Sequence, residues 1–237
     1  MNKGIQNLFS GIPSTYELIN HILTLGFDTP IRRYTAKLAA TGNTQRILDV
    51  CTGTGEMARY LSKHINNGNL IMASDFTLPM LKYAQKKNVS AIRFANADSV
   101  RLPFKDNTFD VVTISFATRN INVSRRNLIG CLKEFHRVLK PGGRFVNLET
   151  SQPRSTLLRR LLHLFVRTFV RPVGTLISGS RPAYVYLSQT IPRFYDADEL
   201  AGIVLEAGFR ECKYEHLMGG IAAIHQGIKK PYELRTV

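Results

Sequence analysis

The stretch ILDVCTGTGEMA, residues 47–58, decides the fold of this chain. Its apolar beginning predicts a buried strand, Gly53 and Gly55 predict a tight turn, and a helix is expected to begin near Glu56. The glycines would let the backbone approach a ligand where a side chain would collide, and a helix start offers unpaired N–H groups. A glycine turn that only shapes a strand-to-helix junction would look the same, so the turn alone leaves both interpretations open.

Strand-like and helix-like segments alternate from this stretch onward. Short apolar runs typical of buried strands lie at 46–50, 70–74, 91–97, 110–116 and 144–149. Apolar residues at helical spacing lie between them, at 56–65, 78–87 and 125–139. This alternation indicates βαβ units and a parallel sheet that is covered on both faces. We therefore predict an α/β fold with a single doubly wound, mostly parallel, Rossmann-like sheet, preceded by helices and closed by a hairpin at about 210–229.

Composition limits the class of protein. The 237 residues are 44% hydrophobic and 21% charged, which suits one globular domain with a large core. Three widely spaced cysteines suggest neither a disulfide framework nor a metal site. We read neither a signal peptide nor an uninterrupted apolar run of about 20 residues, so the expected location is cytoplasmic or peripheral on the inner face of the membrane. The net charge of +15 could attract nucleic acid, anionic lipid or an anionic substrate, and the total cannot choose among them.

Polar residues follow several of the predicted strands. Asp75 ends the second strand, about 20 positions after the glycine turn, where a carboxylate can accept hydrogen bonds from both hydroxyls of a ribose. Asp98 follows the third strand and could accept from an adenine amine, and Ser115 ends the fourth. Because the carboxyl ends of parallel strands meet at one edge of the sheet, these residues predict a nucleoside site there.

The ligand could be a dinucleotide or a sulfonium nucleoside. A dinucleotide fingerprint places its first glycine directly after the strand, whereas Asp49 to Thr52 intervene here. The acidic groups of Asp49 and Glu56 suit a cationic sulfonium and oppose a pyrophosphate. The pattern therefore favours a methyl donor over a dinucleotide.

The chain resembles the seven-stranded class I S-adenosylmethionine methyltransferases and, more narrowly, the ubiquinone/menaquinone biosynthesis C-methyltransferases. The matching segments are YELINHILTLG (16–26), ILDVCTGTGE (47–56), SDFTLPMLKYA (74–84), LPFKDNTFDVVTISFATRN (102–120), EFHRVLKPGGRFVNLETSQP (134–153), YVYLSQTIPRF (184–194) and GGIAAIHQGIK (219–229). The chain departs from the family pattern at Cys51 (usually Ala), at Glu56 (usually Asp) and at Phe116-Ala117 (usually Phe-Gly), and it lacks a tryptophan expected near residues 31–34.

The resemblance implies S-adenosylmethionine contacts at Thr54, Asp75, Asn96, Ala97, Asp98 and Ser115. Asp49, Gly53 and Gly55 of the turn complete the predicted cofactor site. The reaction implied is methylation of a ring carbon of a polyprenylated hydroquinone in menaquinone or ubiquinone biosynthesis, with demethylmenaquinol favoured. Arg119, Asn120 and Tyr16 are the predicted catalytic residues, and no metal is needed. Asn20, Tyr184 and His225 are weaker candidates for the pocket or for a proton acceptor.

Four parts of one domain are expected. They are an N-terminal helical extension (1–45), a cofactor-binding core (46–152), a helical insertion or substrate lid (153–207) and C-terminal strands that complete the sheet (208–237). Within the insertion, residues 155–174 combine dense apolar side chains with arginines, which fits either a helix that contacts the membrane surface or a lid with solvated arginines. Association as a homodimer is a further expectation.

Two alternatives remain at this point. An RNA methyltransferase would explain the positive charge, but FATRN follows the fourth strand where adenine N6 enzymes carry an Asn/Asp-Pro-Pro-aromatic turn. No cysteine follows a proline, as cytosine C5 enzymes require, so nucleic acid is not the favoured partner. A non-catalytic subunit that binds the cofactor is the second alternative, and the intact turn and acidic positions count against it.

Overall fold

The computed structural model describes residues 13–42, 44–65, 69–87 and 90–231. The strands are β1 (Arg46–Val50), β2 (Leu70–Asp75), β3 (Ile92–Asn96), β4 (Phe109–Ser115), β5 (Leu139–Thr150), β6 (Glu211–Leu217) and β7 (Ala222–Ile228). The helices are α1 (Pro13–Leu23), α2 (Asp28–Ala39), α3 (Glu56–Leu61), α4 (Leu78–Lys86), α5 (Thr118–Ile121), α6 (Arg125–Val138), α7 (Thr156–Phe165), α8 (Arg171–Ser178), α9 (Arg181–Thr190) and α10 (Ala197–Glu206). A π-helical turn (Val166–Val170) joins α7 to α8, and 3-10 turns lie at Ile191–Arg193 and Met218–Gly220.

All seven strands form one sheet in the order β3-β2-β1-β4-β5-β7-β6. Strands β1 to β5 pair in parallel, and β7 alone runs antiparallel to both of its neighbours. The strand order reverses at β1, whose neighbours are β2 and β4, so the carboxyl end of β1 lies at the point where doubly wound sheets bind ligands. The predicted fold and the closing hairpin are confirmed.

Helices cover both faces of the sheet, because successive strand residues point to opposite sides. Leu48 and Val112 belong to the core under α6 and α10, whereas their neighbours Ile47 and Val111 belong to the core under α2 and α3. Both faces of the sheet are therefore buried, and only its edges are open to a ligand.

The N-terminal helix and the insertion form a third core. Ile19 of α1 packs with Val166, Val170 and Tyr184 of the insertion. Gly174 lies against the Tyr184 ring, where an added Cβ would come within 2.0 Å of the ring. This core places α1 and the insertion together above the carboxyl end of the sheet, whereas α10 packs against β6 and β7 beside the sheet itself.

Two element boundaries differ from the sequence prediction by more than one residue. β5 begins at Leu139 rather than at 144, because the Lys-Pro-Gly-Gly segment stays in the strand as an irregularity where the register with β4 shifts. α3 ends at Leu61 rather than at 65, although the apolar spacing continues. No helix among the described residues is long and apolar enough to cross a membrane. The predictions for residues 1–12 and for the tail after 231 lie outside the described residues.

Candidate active site

The glycine turn connects β1 to α3 through left-handed backbone. Gly53 has φ 57° and Gly55 has φ 80°, values that favour glycine. A Cβ on Gly55 would lie 3.1 Å from the Ala84 Cβ, so this glycine also permits close packing of α4. A Cβ on Gly53 would meet no atom of the described residues within 4 Å, so the open space beside this turn is available to a ligand.

Asp75 holds the turn from the end of β2. Its Oδ2 accepts a hydrogen bond from the Gly53 N–H at 2.8 Å, and its Oδ1 accepts from the Thr77 N–H at 2.7 Å. Burial raises the pKa of the Asp75 carboxyl, and the two backbone donors oppose that rise. The carboxylate lies at the predicted ribose position with its orientation fixed.

Asp49 lies behind the turn. Its Oδ1 accepts from the Thr113 hydroxyl at 2.7 Å and its Oδ2 from the Thr52 hydroxyl at 2.5 Å. Its side chain is fully buried, and this burial raises its pKa to about 6. Asp49 therefore supports the turn through Thr52 and does not itself face the open space.

The end of β3 lies beside Asp75. The Ala97 N–H donates to the Asp75 backbone carbonyl at 3.0 Å, and Asn96 Nδ2 donates to the same carbonyl at 2.8 Å. Asp98 Oδ1 accepts from the Val100 N–H at 3.1 Å. These residues extend the edge past the recess described next, where the sequence predicts the adenine.

A recess of about 70 Å³ opens at the carboxyl ends of β1, β2 and β4. It brings together six of the predicted residues, namely Tyr16, Gly53, Thr54, Asp75, Ser115 and Asn120. The recess is also lined by residues that were not predicted as site residues, namely Arg32, Cys51, Thr52, Glu56, Thr77, Met80, Phe116, Ala117 and Ile121. Asp49, Gly55 and the residues at the end of β3 do not line it.

Arg32 of α2 is the functional candidate that sequence reasoning missed. Its Nη1 donates to Ser115 Oγ at 2.7 Å, and its guanidinium lies 4.9 Å from the centre of the Phe116 ring. One feature of the sequence could have indicated that Arg32 is buried. Arg32 lies at helical spacing from Ala36 and Ala39, on the buried face of α2. An arginine on a buried stripe needs an anionic or hydrogen-bonding partner.

A second, apolar cavity of about 360 Å³ adjoins the recess. Its apolar wall comes from α1, the segment that follows it, the start of α2, the insertion and the 3-10 turn after β6. The wall includes Leu23, Leu25, Phe27, Ile31, Leu158, Leu161, Leu162, Phe165, Val166, Val170, Leu187, Ile191 and Met218. Asn20, Arg119 and Thr150 are among its few polar lining groups. Tyr16, Arg32 and Phe116 line both cavities and therefore form the boundary between them.

Arg119 is held by Glu149, which the sequence analysis did not single out. Glu149 at the end of β5 is fully buried and accepts from the Arg119 N–H at 3.1 Å and from Arg119 Nη1 at 3.4 Å. Arg119 Nη1 also donates to the Thr150 hydroxyl at 3.0 Å. The cation on the wall of the apolar cavity thus has a buried carboxylate behind it.

Tyr16 and Asn120 lie close to the boundary. Burial raises the pKa of the Tyr16 phenol, so the phenol stays protonated at neutral pH and can donate a hydrogen bond. Asn120 Oδ1 is buried and has no hydrogen-bond partner among the described residues. An unsatisfied amide oxygen at a recess fits a ligand that brings a donor.

The weaker candidates Tyr184 and His225 line neither cavity. His225 lies on β7, where its Nε2 contacts the Ala197 carbonyl at 3.0 Å, and burial lowers its pKa to about 4. Tyr184 packs in the third core, against Gly174. The structure therefore does not bring either residue to the two cavities.

The profile of the ubiE/COQ5 methyltransferase family matches residues 1–229. The chain belongs to this family. Relatives called "Ubiquinone/menaquinone biosynthesis C-methyltransferase UbiE" are 33% identical in Pseudomonas paraeruginosa, over 96% of this chain and 89% of that protein, and 33% identical in Azotobacter vinelandii, over 96% and 90%. The relative from Teredinibacter turnerae, with the same description, is 32% identical over 95% of this chain and 91% of that protein.

Solved structures share the fold of this family member. A SAM-dependent methyltransferase from Thermotoga maritima has a TM-score of 0.63 at 18% identity, covering 95% of this chain and 100% of that chain. Haemonchus contortus phosphoethanolamine N-methyltransferase 2, solved in complex with S-adenosyl-L-methionine, has a TM-score of 0.61 at 16% identity, covering 85% and 52%.

The family membership confirms that the chain is an S-adenosylmethionine-dependent C-methyltransferase. The residues of the recess fit this group, because the open space beside Gly53, the fixed Asp75 carboxylate and the unsatisfied Asn120 amide can receive a polar nucleoside. The roles of the individual site residues stay predictions, as does a homodimer. In the described part of the chain, no group of three or more His, Cys, Asp or Glu side chains could hold a metal ion.

Proposed function

We propose that this chain methylates a ring carbon of a polyprenylated hydroquinone and that demethylmenaquinol is its preferred acceptor. The observation that carries the proposal is the apolar cavity of about 360 Å³ that shares a wall with the cofactor recess. An acceptor with a long hydrocarbon tail needs such a cavity, and its ring must lie next to the methyl donor. The scarcity of polar lining groups favours a bicyclic naphthoquinol, whose second ring is hydrocarbon.

The chain's residues act on the acceptor oxygen in this proposal. When bound, S-adenosylmethionine supplies an electrophilic methyl group. Arg119 lies on the cavity wall with a buried carboxylate behind it, so its guanidinium can stabilise the negative charge that develops on the ring oxygen. Tyr16 is protonated and can donate a hydrogen bond to the same oxygen. Charge on that oxygen would increase the electron density of the adjacent ring carbon, which could then take the methyl group of a bound donor without a covalent enzyme intermediate. The methyl–sulfur bond would break as the new carbon–carbon bond forms, the demethylated thioether would leave, and the proton of the ring carbon would be released to water.

The test is methyl transfer from labelled donor to short-chain demethylmenaquinol and to the benzoquinol precursor of ubiquinone, both kept reduced. We expect a ring-methylated naphthoquinol by mass spectrometry and slower transfer to the benzoquinol. Faster transfer to the benzoquinol would reverse the preference. Transfer to RNA and to neither quinol would favour the RNA alternative.

For Arg119→Ala we expect turnover to fall at least about 100-fold with little change in cofactor affinity, as for the loss of one charge-stabilising group.

We also propose that the insertion contacts the membrane surface. Leu157, Leu161 and Leu164 of α7 are 69%, 53% and 57% exposed, and the arginines of residues 155–174 (Arg159, Arg160, Arg167 and Arg171) are also exposed. Leu161 also lines the apolar cavity, so the same helix borders the cavity and the solvent. This arrangement fits an interfacial helix beside the entrance for a lipid-soluble acceptor.

Flotation with vesicles tests this contact. Wild-type protein should float with vesicles that contain anionic lipid, and L157D/L164D should float much less. Leu205→Asp is the matched control, since Leu205 is exposed on α10, outside the 155–174 segment. Equal flotation of all variants, or none of wild type, would leave α7 as a lid only.

A further inference from the structure

We propose that Arg32 and Glu56 form a subsite for the amino-acid end of the methyl donor, with the α-carboxylate on Arg32 and the α-ammonium group on Glu56. The inference rests on the family's cofactor. Both side chains line the recess, and Arg32 and Glu56 are only 5% and 9% exposed. A guanidinium and a carboxylate held side by side in one recess match the two opposite charges of a free amino acid.

Arg32 has unused hydrogen-bonding capacity. A guanidinium carries five N–H donors, and among the described residues only Ser115 accepts one from Arg32 at hydrogen-bond distance. The Arg32 Nε is buried without a hydrogen-bond partner there, because Glu56 Oε2 lies 3.7 Å away, beyond hydrogen-bond distance. A buried guanidinium with unmade hydrogen bonds is costly, and a carboxylate ligand could accept two of them in parallel.

Arg32 and the predicted ribose contact lie on opposite sides of the glycine turn. The predicted ribose contact, Asp75, ends β2, whereas Arg32 lies against Ser115 at the end of β4. β1 and its glycine turn separate these two strands in the sheet. A ligand whose ribose lies at Asp75 and which crosses the turn therefore reaches Arg32 with its other end.

Charge balance explains why Glu56 accompanies Arg32. A lone guanidinium would repel the sulfonium and the α-ammonium group of the same ligand. Burial raises the pKa of the Glu56 carboxyl, and Arg32 is the largest influence that lowers it. Arg32 thus helps to keep Glu56 ionised, and the pair offers one charge of each sign.

Calorimetric binding of two ligands tests the subsite. S-Adenosylhomocysteine carries the amino-acid end, and 5′-methylthioadenosine has the same adenosyl thioether without it. We expect Arg32→Ala to raise the Kd of S-adenosylhomocysteine about 10- to 100-fold, the range of a charge-assisted hydrogen-bond pair. The Kd of 5′-methylthioadenosine should change less than about twofold, which also shows that the variant is folded. Arg33→Ala is the matched control, because the neighbouring Arg33 is exposed, and it should leave both constants unchanged.

Decarboxylated S-adenosylmethionine separates the two charges, since it keeps the ammonium group and lacks the carboxylate. Arg32→Ala should weaken its binding much less than that of S-adenosylmethionine, whereas Glu56→Gln should weaken the binding of both.

Four outcomes would overturn the proposal. Equal losses for S-adenosylhomocysteine and 5′-methylthioadenosine would mean that Arg32 only holds α2 on the sheet. Unchanged binding of both with a raised KM for the quinol would place Arg32 on the acceptor instead, and unchanged binding with unchanged kinetics would remove it from the site. If the wild-type protein bound neither nucleoside, the recess would not be the cofactor site and the proposed function itself would fail.

Discussion

At the residue scale, the site depends on charged groups that tertiary structure brings together. Thr54, Asp75 and Ser115 could be predicted, because each lies at or just after the end of a strand and parallel strands end at one edge. Arg32 and Glu149 were missed because their partners are distant in sequence: Arg32 contacts a serine 83 positions away, and Glu149 contacts an arginine 30 positions away. A pattern within one short stretch of sequence cannot indicate a contact between residues so far apart.

Glu149 is expected to position Arg119 rather than to touch the acceptor. Glu149→Gln keeps the side-chain volume but removes the negative charge that Arg119 contacts through its guanidinium and its backbone N–H. Steady-state kinetics should show a fall in kcat of about 10- to 100-fold, while the Kd of S-adenosylhomocysteine stays within about twofold.

Glu206→Gln is the matched control for this prediction, because Glu206 pairs with Arg125 on the exposed surface. Such surface pairs contribute little, so its kcat should match that of wild type. A normal kcat in Glu149→Gln would show that Arg119 needs no carboxylate behind it.

At the scale of elements, the insertion is defined by how its helices pack on one another. The sequence predicted helices between residues 153 and 207, since apolar residues recur there. It could not predict that the last helix, α10, packs beside the sheet, or that α8 and α9 meet at Gly174 and Tyr184. Those contacts depend on side-chain shape rather than on periodicity.

Gly174→Ala should destabilise the insertion. The added methyl would lie 2.0 Å from the Tyr184 ring, so the ring or a helix must move, at a cost of about 1–3 kcal/mol in the free energy of unfolding. Gly202→Ala in α10 is the matched control, because a Cβ there meets no described atom within 4 Å and alanine favours the helix by up to about 1 kcal/mol. Urea unfolding should therefore separate the two variants in opposite directions. A Gly174→Ala variant as stable as wild type would mean that α8 and α9 are loosely packed.

At the scale of the whole molecule, the topology places two cavities on one edge of a sheet whose faces are both buried. The sequence predicted this edge, because right-handed crossovers align the strand ends. It could not predict the boundary of Tyr16, Arg32 and Phe116, since two of these residues come from helices that precede the sheet. The N-terminal helices therefore complete both cavities, in addition to covering the sheet.

A buried, neutral histidine on the closing strand β7 contacts α10 and β5, so the free energy of unfolding depends on pH. His225 on β7 contacts the Ala197 carbonyl at the start of α10 and Asn147 Nδ2 on β5, and burial lowers its pKa from 6.5 to about 4. Above pH 6.5 the histidine is neutral in both states. As the pH falls from 6.5 towards 4, His225 binds a proton in the unfolded chain but not in the folded chain. Its contribution to the free energy of unfolding therefore falls, by an amount of the order of 2–3 kcal/mol at most.

Urea unfolding at pH 7 and at pH 5 measures this loss as the difference between wild type and His225→Gln, because glutamine does not titrate and the opposite contribution from the raised pKa of Asp49 is common to both proteins. The variant is expected to be less stable than wild type at pH 7, so the diagnostic quantity is the difference between the two pH values rather than the stability itself. His64→Gln, at an exposed histidine on the surface, should retain the wild-type difference. If His225→Gln retained it as well, the acid sensitivity would come from other groups, and β7 would join α10 and β5 without a titratable link.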